Sequence, residues 1–486
     1  MKKYGLTSMD CFLMTIIAFI SLGVRLYRLG HPSRVTFDEV YFGNFSNAYI
    51  NRSYYSDIHP PLGKITMALV AWATGYPGNI NFGRSSNYRD EETNYVSLRI
   101  TPNIFGSFCS VLIYIALRNL NIKYFAAFTG ALMVALEQSS IVEHKFILSD
   151  AMLHFFSCLH ICAFTYFIKH QDFISTFIAG ITLGLAISCK LTALGLIALD
   201  GITQIIWIFT EWPNIIKIIN RASTLLGPAI TVFFFSYVIH HDILMFRDHT
   251  NTYHEDHFRQ YLLLRNDLNK TYKANRIIGR SHILTIVKDL FNTHKNNMRI
   301  TTPHPWSSMP INWPLLLDRY VLFWVGEGTS IKCLGLPAVI WSTTFFIFLT
   351  PFFGIFRIAD YSVLYTFLGW LFSYLPFVLV PRGMFMYHYI VPMMFGAMNL
   401  ASLANCIFRK WPHYRTYFFA TICILVSANF LLFSPIIYGN PLLKSTDNYL
   451  IWRNEWLWGP QEPVQYFGEE MFNTTIQYGS LRRKFF

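Results

Sequence analysis

Apolar residues in this chain come in long runs separated by short polar segments, with neither the alternation of a half-buried strand nor the narrow stripe of a soluble amphipathic helix. A hydrocarbon core about 30 Å thick needs ~17 to 25 mostly apolar residues to be crossed by a helix. Eleven runs meet that length, at roughly 9–27, 100–117, 124–140, 146–168, 172–189, 191–210, 222–241, 331–356, 361–380, 386–408 and 414–437. The fifth and sixth abut at Lys190 and also read as one re-entrant hairpin. The pattern predicts an α fold, a polytopic helical membrane protein with polar loops at 28–99 and 242–330 and a polar tail at 438–486. No linker, low-complexity stretch or internal repeat divides it, so residues 1–486 read as a single membrane domain.

Composition agrees: 53% of residues are hydrophobic, 17% aromatic and only 14% charged, which excludes disordered, collagen-like and disulfide-stapled chains. A net charge of +12 would point to nucleic acid on a soluble protein. Here the cations fall mostly in short loops, where they set orientation, so no nucleic-acid partner is expected. With a cytosolic N-terminus, the cytosolic segments carry Lys2, Lys3, Arg118, Lys123, Lys169, Lys217, Arg221, Arg357, Arg409, Lys410 and Arg415. The opposite short loops carry only Lys145, Lys190 and Arg382. That asymmetry places both long loops and the tail on the lumenal side, which also holds the glycosylation sequons at Asn44, Asn51, Asn269 and Asn473. The run from Cys11 to Val24 has the length of a signal peptide, but Arg25-Leu-Tyr-Arg28 offers no small-residue cleavage site, so a retained first span is expected. The eight cysteines lie in or beside apolar runs and give no disulfide framework. Cys158 and Cys162 have helical i, i+4 spacing but lack a second metal-binding pair, and read as buried apolar residues.

The candidate chemistry lies at the lumenal span ends. Phe37-Asp38-Glu39-Val40-Tyr41-Phe42-Gly43 sets two carboxylates among aromatics just beyond the first span. Partial desolvation there raises the basicity of a carboxylate beside a substrate delivered from lipid; the alternative is a solvated pair capping a short helix. His59-Pro-Pro-Leu-Gly-Lys64, followed by an apolar stretch to Trp72, predicts an interfacial helix. Arg99, Lys145, Asp150, Lys190, Arg382 and His388 stand at or near the ends of lumenal spans, against the orientation trend for the cations. A lipid phosphate would compensate such cations. For Lys145, pairing with Glu143 or Asp150 is the preferred reading; Lys190 and Arg382 have no acidic neighbour in sequence and read as phosphate ligands. His388, between Tyr387 and Tyr389, reads equally as a site residue or an aromatic-belt residue. The Trp- and Pro-rich segment His304 to Leu316 reads as a packing platform. There is no Gly-rich phosphate loop, no dinucleotide fingerprint and no dense acidic cluster for a metal, so a donor is expected to arrive through the bilayer.

With these residues in order along nearly the whole chain, the sequence resembles the protein O-mannosyltransferases, multispanning GT-C glycosyltransferases that use dolichyl phosphate mannose. The resemblance rests on Phe37-Asp38-Glu39-Val40 with Phe42-Gly43, His59-Pro-Pro-Leu-Gly-Lys64, Leu98-Arg99, Phe146-Ile-Leu-Ser-Asp150, Ser188-Cys-Lys190, Ser308 to Leu315, and Arg382 with His388-Tyr389. It implies Asp38 as general base, Glu39 beside it in the acceptor site, and Arg99, Lys190 and Arg382 as donor phosphate ligands. His59, Lys64, Asp150 and His388 then shape the site, no metal or bound cofactor is needed, and the lipid-linked donor is a co-substrate. It further implies Ser/Thr-containing acceptors, a homo- or heterodimer with a family member, and an endoplasmic reticulum membrane, or the plasma membrane in a bacterium. Family members commonly carry a MIR domain in the second lumenal loop. Residues 242–330 show no repeated strand pattern, so a compact member without it is expected, and Tyr41 stands where a His is common. The alternatives are another lipid-phosphate-sugar-dependent GT-C transferase, or a transporter, which would carry charges near mid-span and a repeated helix pattern.

Overall fold

The computed structural model describes residues 5–457 except 56, 85, 90–93, 248–261, 263–279, 299–303, 305, 327–328, 357, 381–382 and 442–448. In chain order the helices are α1 Ser8–Leu26, α2 Glu39–Ile50, α3 Leu62–Ala73, α4 Tyr95–Asn119, α5 Tyr124–Leu136, α6 Gln138–Lys145, α7 Asp150–His170, α8 Phe173–Ile187, α9 Leu194–Glu211, α10 Ile215–Ile243 and α11 Arg280–Met298. An antiparallel hairpin follows, β1 Val321–Gly326 and β2 Thr329–Cys333, in register from Val321↔Cys333 to Gly326↔Thr329. Then come α12 Pro337–Ile355, α13 Tyr361–Leu379, α14 Ile390–Ile407 and α15 Pro412–Tyr438. The fold is a helical membrane bundle.

Among the described residues nine helices are long and apolar enough to cross a membrane, and the α5–α6 pair, bent by 50°, makes a tenth. The expected count of eleven needs α8 as well. Its 15 residues span only about 22 Å at 1.5 Å per residue, short of the apolar core. The 124–140 run bends because Glu137 leaves the helix and caps the next one. Its buried carboxylate accepts from the Ser139 and Ser140 amides at 3.1 and 2.8 Å and from the Leu336 amide at 3.2 Å. The 331–356 run starts late, at Pro337, because its first residues belong to β2.

The two ends of the bundle are tied differently. At one, Arg118 of α4 pairs with the fully buried Asp10 of α1 at 2.6 Å, and α1 is thereby an integral wall. At the other, the segments flanking α2 and α3 fold back onto the bundle. The Leu62 amide donates to the Ser188 carbonyl at 2.9 Å, and Gly63 lies against Ser149. Those contacts bring residues 59–64, 149–150 and 188–190 into one neighbourhood.

Candidate active site

Glu39 is the anchor of this end. Its carboxylate is fully buried and accepts from the Thr36 amide at 3.0 Å, Tyr88 Oη at 3.2 Å and the Ile147 amide at 3.0 Å. Arg99 of α4 closes a bidentate fork on it, Nε to Oε1 and Nη2 to Oε2, both 2.8 Å. The break between α6 and α7 frees the Ile147 amide from helical pairing, and Glu39 supplies the acceptor that such a buried donor requires. Arg99 spends its remaining donors on the Leu29, Pro32 and Arg34 carbonyls at 3.3, 2.8 and 3.2 Å. The expected roles of both residues therefore change. With every donor committed and no exposed surface, Arg99 has nothing to offer a lipid phosphate, and Glu39 holds loop to bundle rather than touching an acceptor.

This anchoring presents Asp38. Phe37, with φ of 50°, sits in the left-handed region that a bulky residue rarely occupies. Its ring is held at 4.5 Å from that of Phe323 in β1 and 6.3 Å from that of Tyr387. Asp38 occupies the N-cap position of α2 yet makes no capping bond. Neither arm of the solvated-cap alternative holds: Glu39 is buried, and Asp38 is a partly buried carboxylate to which the described residues give no hydrogen bond or ion pair. Burial pushes its pKa up to about 6, with Asp150 and Asp57 adding to the rise while Lys190 and Arg84 oppose it. A carboxylate titrating there is a competent base near neutral pH.

Opposite lies a small cleft lined by Asp150, His154, Lys190, Tyr387 and His388, among others. Lys190 Nζ sits 2.9 Å from Asp150 Oδ1 and 5.8 Å from the Tyr387 ring centre. The acidic partner that the sequence around Lys190 lacks is supplied by α7, forty residues away. Lys145 correspondingly has neither expected partner: among the described residues its buried Nζ has no hydrogen-bond partner, and it lies 5.4 Å from the Tyr438 ring centre. His388 stacks on Trp313, ring centres 6.2 Å apart and planes within 8°. Trp313 Nε1 donates to Ser308 Oγ at 2.8 Å, so the Trp- and Pro-rich segment is the floor under this histidine. Lys64 pairs with Asp57 and donates to the His59 carbonyl at 2.9 Å. Burial and the nearby Lys190 hold the His59 imidazole down to about 3, hence neutral. Arg382 lies outside the described residues.

Sequence reasoning passed over Tyr387, which joins the Phe37 cluster to Lys190, and His154. The latter ends a buried chain: Arg25 Nε to His144 Nδ1 at 3.2 Å, then His144 Nε2 to His154 Nδ1 at 2.8 Å. A guanidinium only donates, so His144 accepts at Nδ1 and donates from Nε2, and neutral His154 is left with its proton on Nε2. A His four residues after Asp150 on one helix face was the available signal.

A family model described as dolichyl-phosphate-mannose-protein mannosyltransferase matches residues 15–245, and one for the C-terminal four-span region of protein O-mannosyltransferase matches 286–456. The chain belongs to the protein O-mannosyltransferase family. This mannosyltransferase-family chain is 30% identical over 246 residues to dolichyl-phosphate-mannose–protein mannosyltransferase 2 of Candida albicans, covering 47% of the chain and 32% of that protein. It is 39% identical over 145 residues to mannosyltransferase 6 of Saccharomyces cerevisiae, covering 30% of the chain and 19% of that protein. The chain thus spans about a third or less of the length of these curated relatives. The solved Pmt1-Pmt2 complex of S. cerevisiae, bound to the sugar donor, superposes with a TM-score of 0.82 at 19% identity, over 97% of this chain and 95% of that one. The fold is accordingly the GT-C type. Both family regions meet at the cleft: Asp150 and Lys190 come from the first, Tyr387 and His388 from the second.

Proposed function

We propose that this protein transfers mannose from dolichyl phosphate mannose to Ser and Thr hydroxyls of secretory-pathway proteins, inverting the sugar C1, from the lumenal face of the endoplasmic reticulum membrane. The observation that carries the reading is the unpaired, partly buried Asp38 carboxylate beside the Lys190–Asp150 pair. Asp38 takes the proton as the hydroxyl oxygen bonds to C1. The C1–O bond to phosphate breaks, the electron pair leaves with dolichyl phosphate, and the proton later passes from Asp38 to water. Lys190 stabilises the leaving phosphate, with Arg382 in the same role, so no strong general acid is needed. Pairing with a second family member is part of the proposal, supported by the solved relative being such a complex.

The test is transfer from radiolabelled dolichyl phosphate mannose to a Ser/Thr-rich peptide by the purified chain. Wild type transfers, and its rate rises with pH through about 6 and then levels, because only ionised Asp38 accepts a proton. Asp38→Asn abolishes transfer but retains donor binding. Its fold should be more stable at pH 7.5: the raised pKa means that ionised Asp38 costs the native state free energy above pH 6, a cost that fades as pH falls towards 4. Wild-type-like turnover by well-folded Asp38→Asn would reject this residue as the base.

A further inference from the structure

At the end of the bundle away from Asp38, a cavity of about 650 Å³ opens between α4, α7, α9, α10, α13, α14 and α15. Five cations converge on it, Lys123, Lys169, Arg221, Arg409 and Arg415, against two acids, Glu211 and Asp360. Arg409 and Asp360 neutralise one another at 2.9 Å. The remaining balance is positive, and Arg221 carries part of it half-buried. The Arg221 guanidinium lies 3.9 Å from the Trp207 ring centre and 4.6 Å from that of Phe167, with its Nε buried and without a hydrogen-bond partner among the described residues.

A second observation is independent of charge. Residues lining the cavity carry buried polar atoms without a hydrogen-bond partner among the described residues: Asn121 Oδ1, both amide atoms of Gln204, and Asn405 Oδ1, besides Arg221 Nε. Buried polar groups are normally satisfied, so amides that line one cavity without a partner gain hydrogen bonds by turning towards a polar ligand held in it. Ile122, Ile168 and Ile206 give the cavity an apolar side. Orientation alone accounts for cations at this end of the helices, but not for a walled cavity with unmatched amides.

We propose that this cavity binds the headgroup of an anionic membrane phospholipid, with the phosphate on the Lys123, Arg221 and Arg415 cations and a polyol ring on the Asn121, Gln204 and Asn405 amides. The volume suits a headgroup, and basic pockets between membrane helices are suited to such lipids. The site lies at the opposite end from the transfer cleft and does not rest on the proposed reaction.

The experiment is native mass spectrometry of the full chain from phosphatidylcholine nanodiscs doped with phosphatidylinositol or, separately, phosphatidylserine. Wild type should retain phosphatidylinositol in preference to phosphatidylserine. Lys123→Ala with Arg415→Ala, the first exposed and the second half-buried, should weaken retention roughly tenfold without unfolding the protein. Gln204→Ala with Asn405→Ala should erase the preference for the polyol. Lys217→Ala with Lys410→Ala removes the same charge from exposed positions that do not line the cavity, and should change nothing. Equal loss in the two charge-removing pairs would reduce the effect to the general surface field and overturn the proposal. So would equal retention of both lipids, or full displacement by soluble inositol phosphate, which would make it a free-anion site.

Discussion

Two charged pairs at the Asp38 end look alike in sequence and differ in kind. Arg99 and Glu39 are both fully buried and mutually saturated, whereas Lys190 and Asp150 keep a little exposure and line a cleft. Removing one member of a fully buried pair leaves an uncompensated charge and costs about 3 to 5 kcal/mol, while a carboxylate left alone on the wall of a cleft can be hydrated or protonated. Arg99→Ala should therefore lower thermal stability and protein yield before it alters donor affinity. Lys190→Ala should leave a folded protein that binds dolichyl phosphate mannose more weakly, by roughly thirtyfold if one charge-assisted contact of about 2 kcal/mol is lost. Titrating donor at saturating peptide, then peptide at saturating donor, separates the two; a Lys190→Ala protein changed only in its peptide dependence would move Lys190 to the acceptor site. The sequence around Arg99 and Lys190 marks both as misplaced cations and cannot tell them apart, because their partners lie sixty and forty residues away.

Between elements, the junction of α4 with α6 is the tightest constraint near the cleft. A Cβ added at Gly106 would stand 2.1 Å from His144 Nδ1, inside any permissible contact. Gly106→Ala should push His144 out of the Arg25–His144–His154 chain and destabilise the protein by about 1 to 3 kcal/mol, the usual cost of overpacking. Detergent-solubilised melting curves provide the check. Adding His144→Ala should recover part of the loss, since the clash is then relieved; independent, additive effects would mean that the two residues do not act through one contact. Nothing in the local pattern around Gly106 announces this. The apolar run predicts the helix, and only the approach of α6, bent into place by Glu137, makes a missing side chain necessary.

For the molecule as a whole, orientation is the property that the charge count decides, and the bundle gives it two ends to test. Asn44 is exposed on α2 near Asp38, and Lys217 is exposed at the start of α10 at the other end. In sealed microsomes, with the exposed native Cys11 changed to Ser, an impermeant maleimide should label Lys217→Cys directly and Asn44→Cys only after permeabilisation. The reverse pattern would invert the topology. Hydropathy by itself determined that the chain is a polytopic helical bundle and where most spans lie, because crossing a bilayer forces backbone pairing to stay within each helix and so writes length into composition. The Asp38 and His59–Lys64 segments were legible too, as charge and aromatics at span ends. What tertiary structure alone decided is which charges remain available. The Glu137 acceptor of the Leu336 amide, the Glu39 anchor on the Ile147 amide and the Asp150 partner of Lys190 all satisfy buried groups across long sequence separations. A low-dielectric interior demands that every such group be matched, yet the identity of the match depends on which helices meet, and no local pattern carries that information.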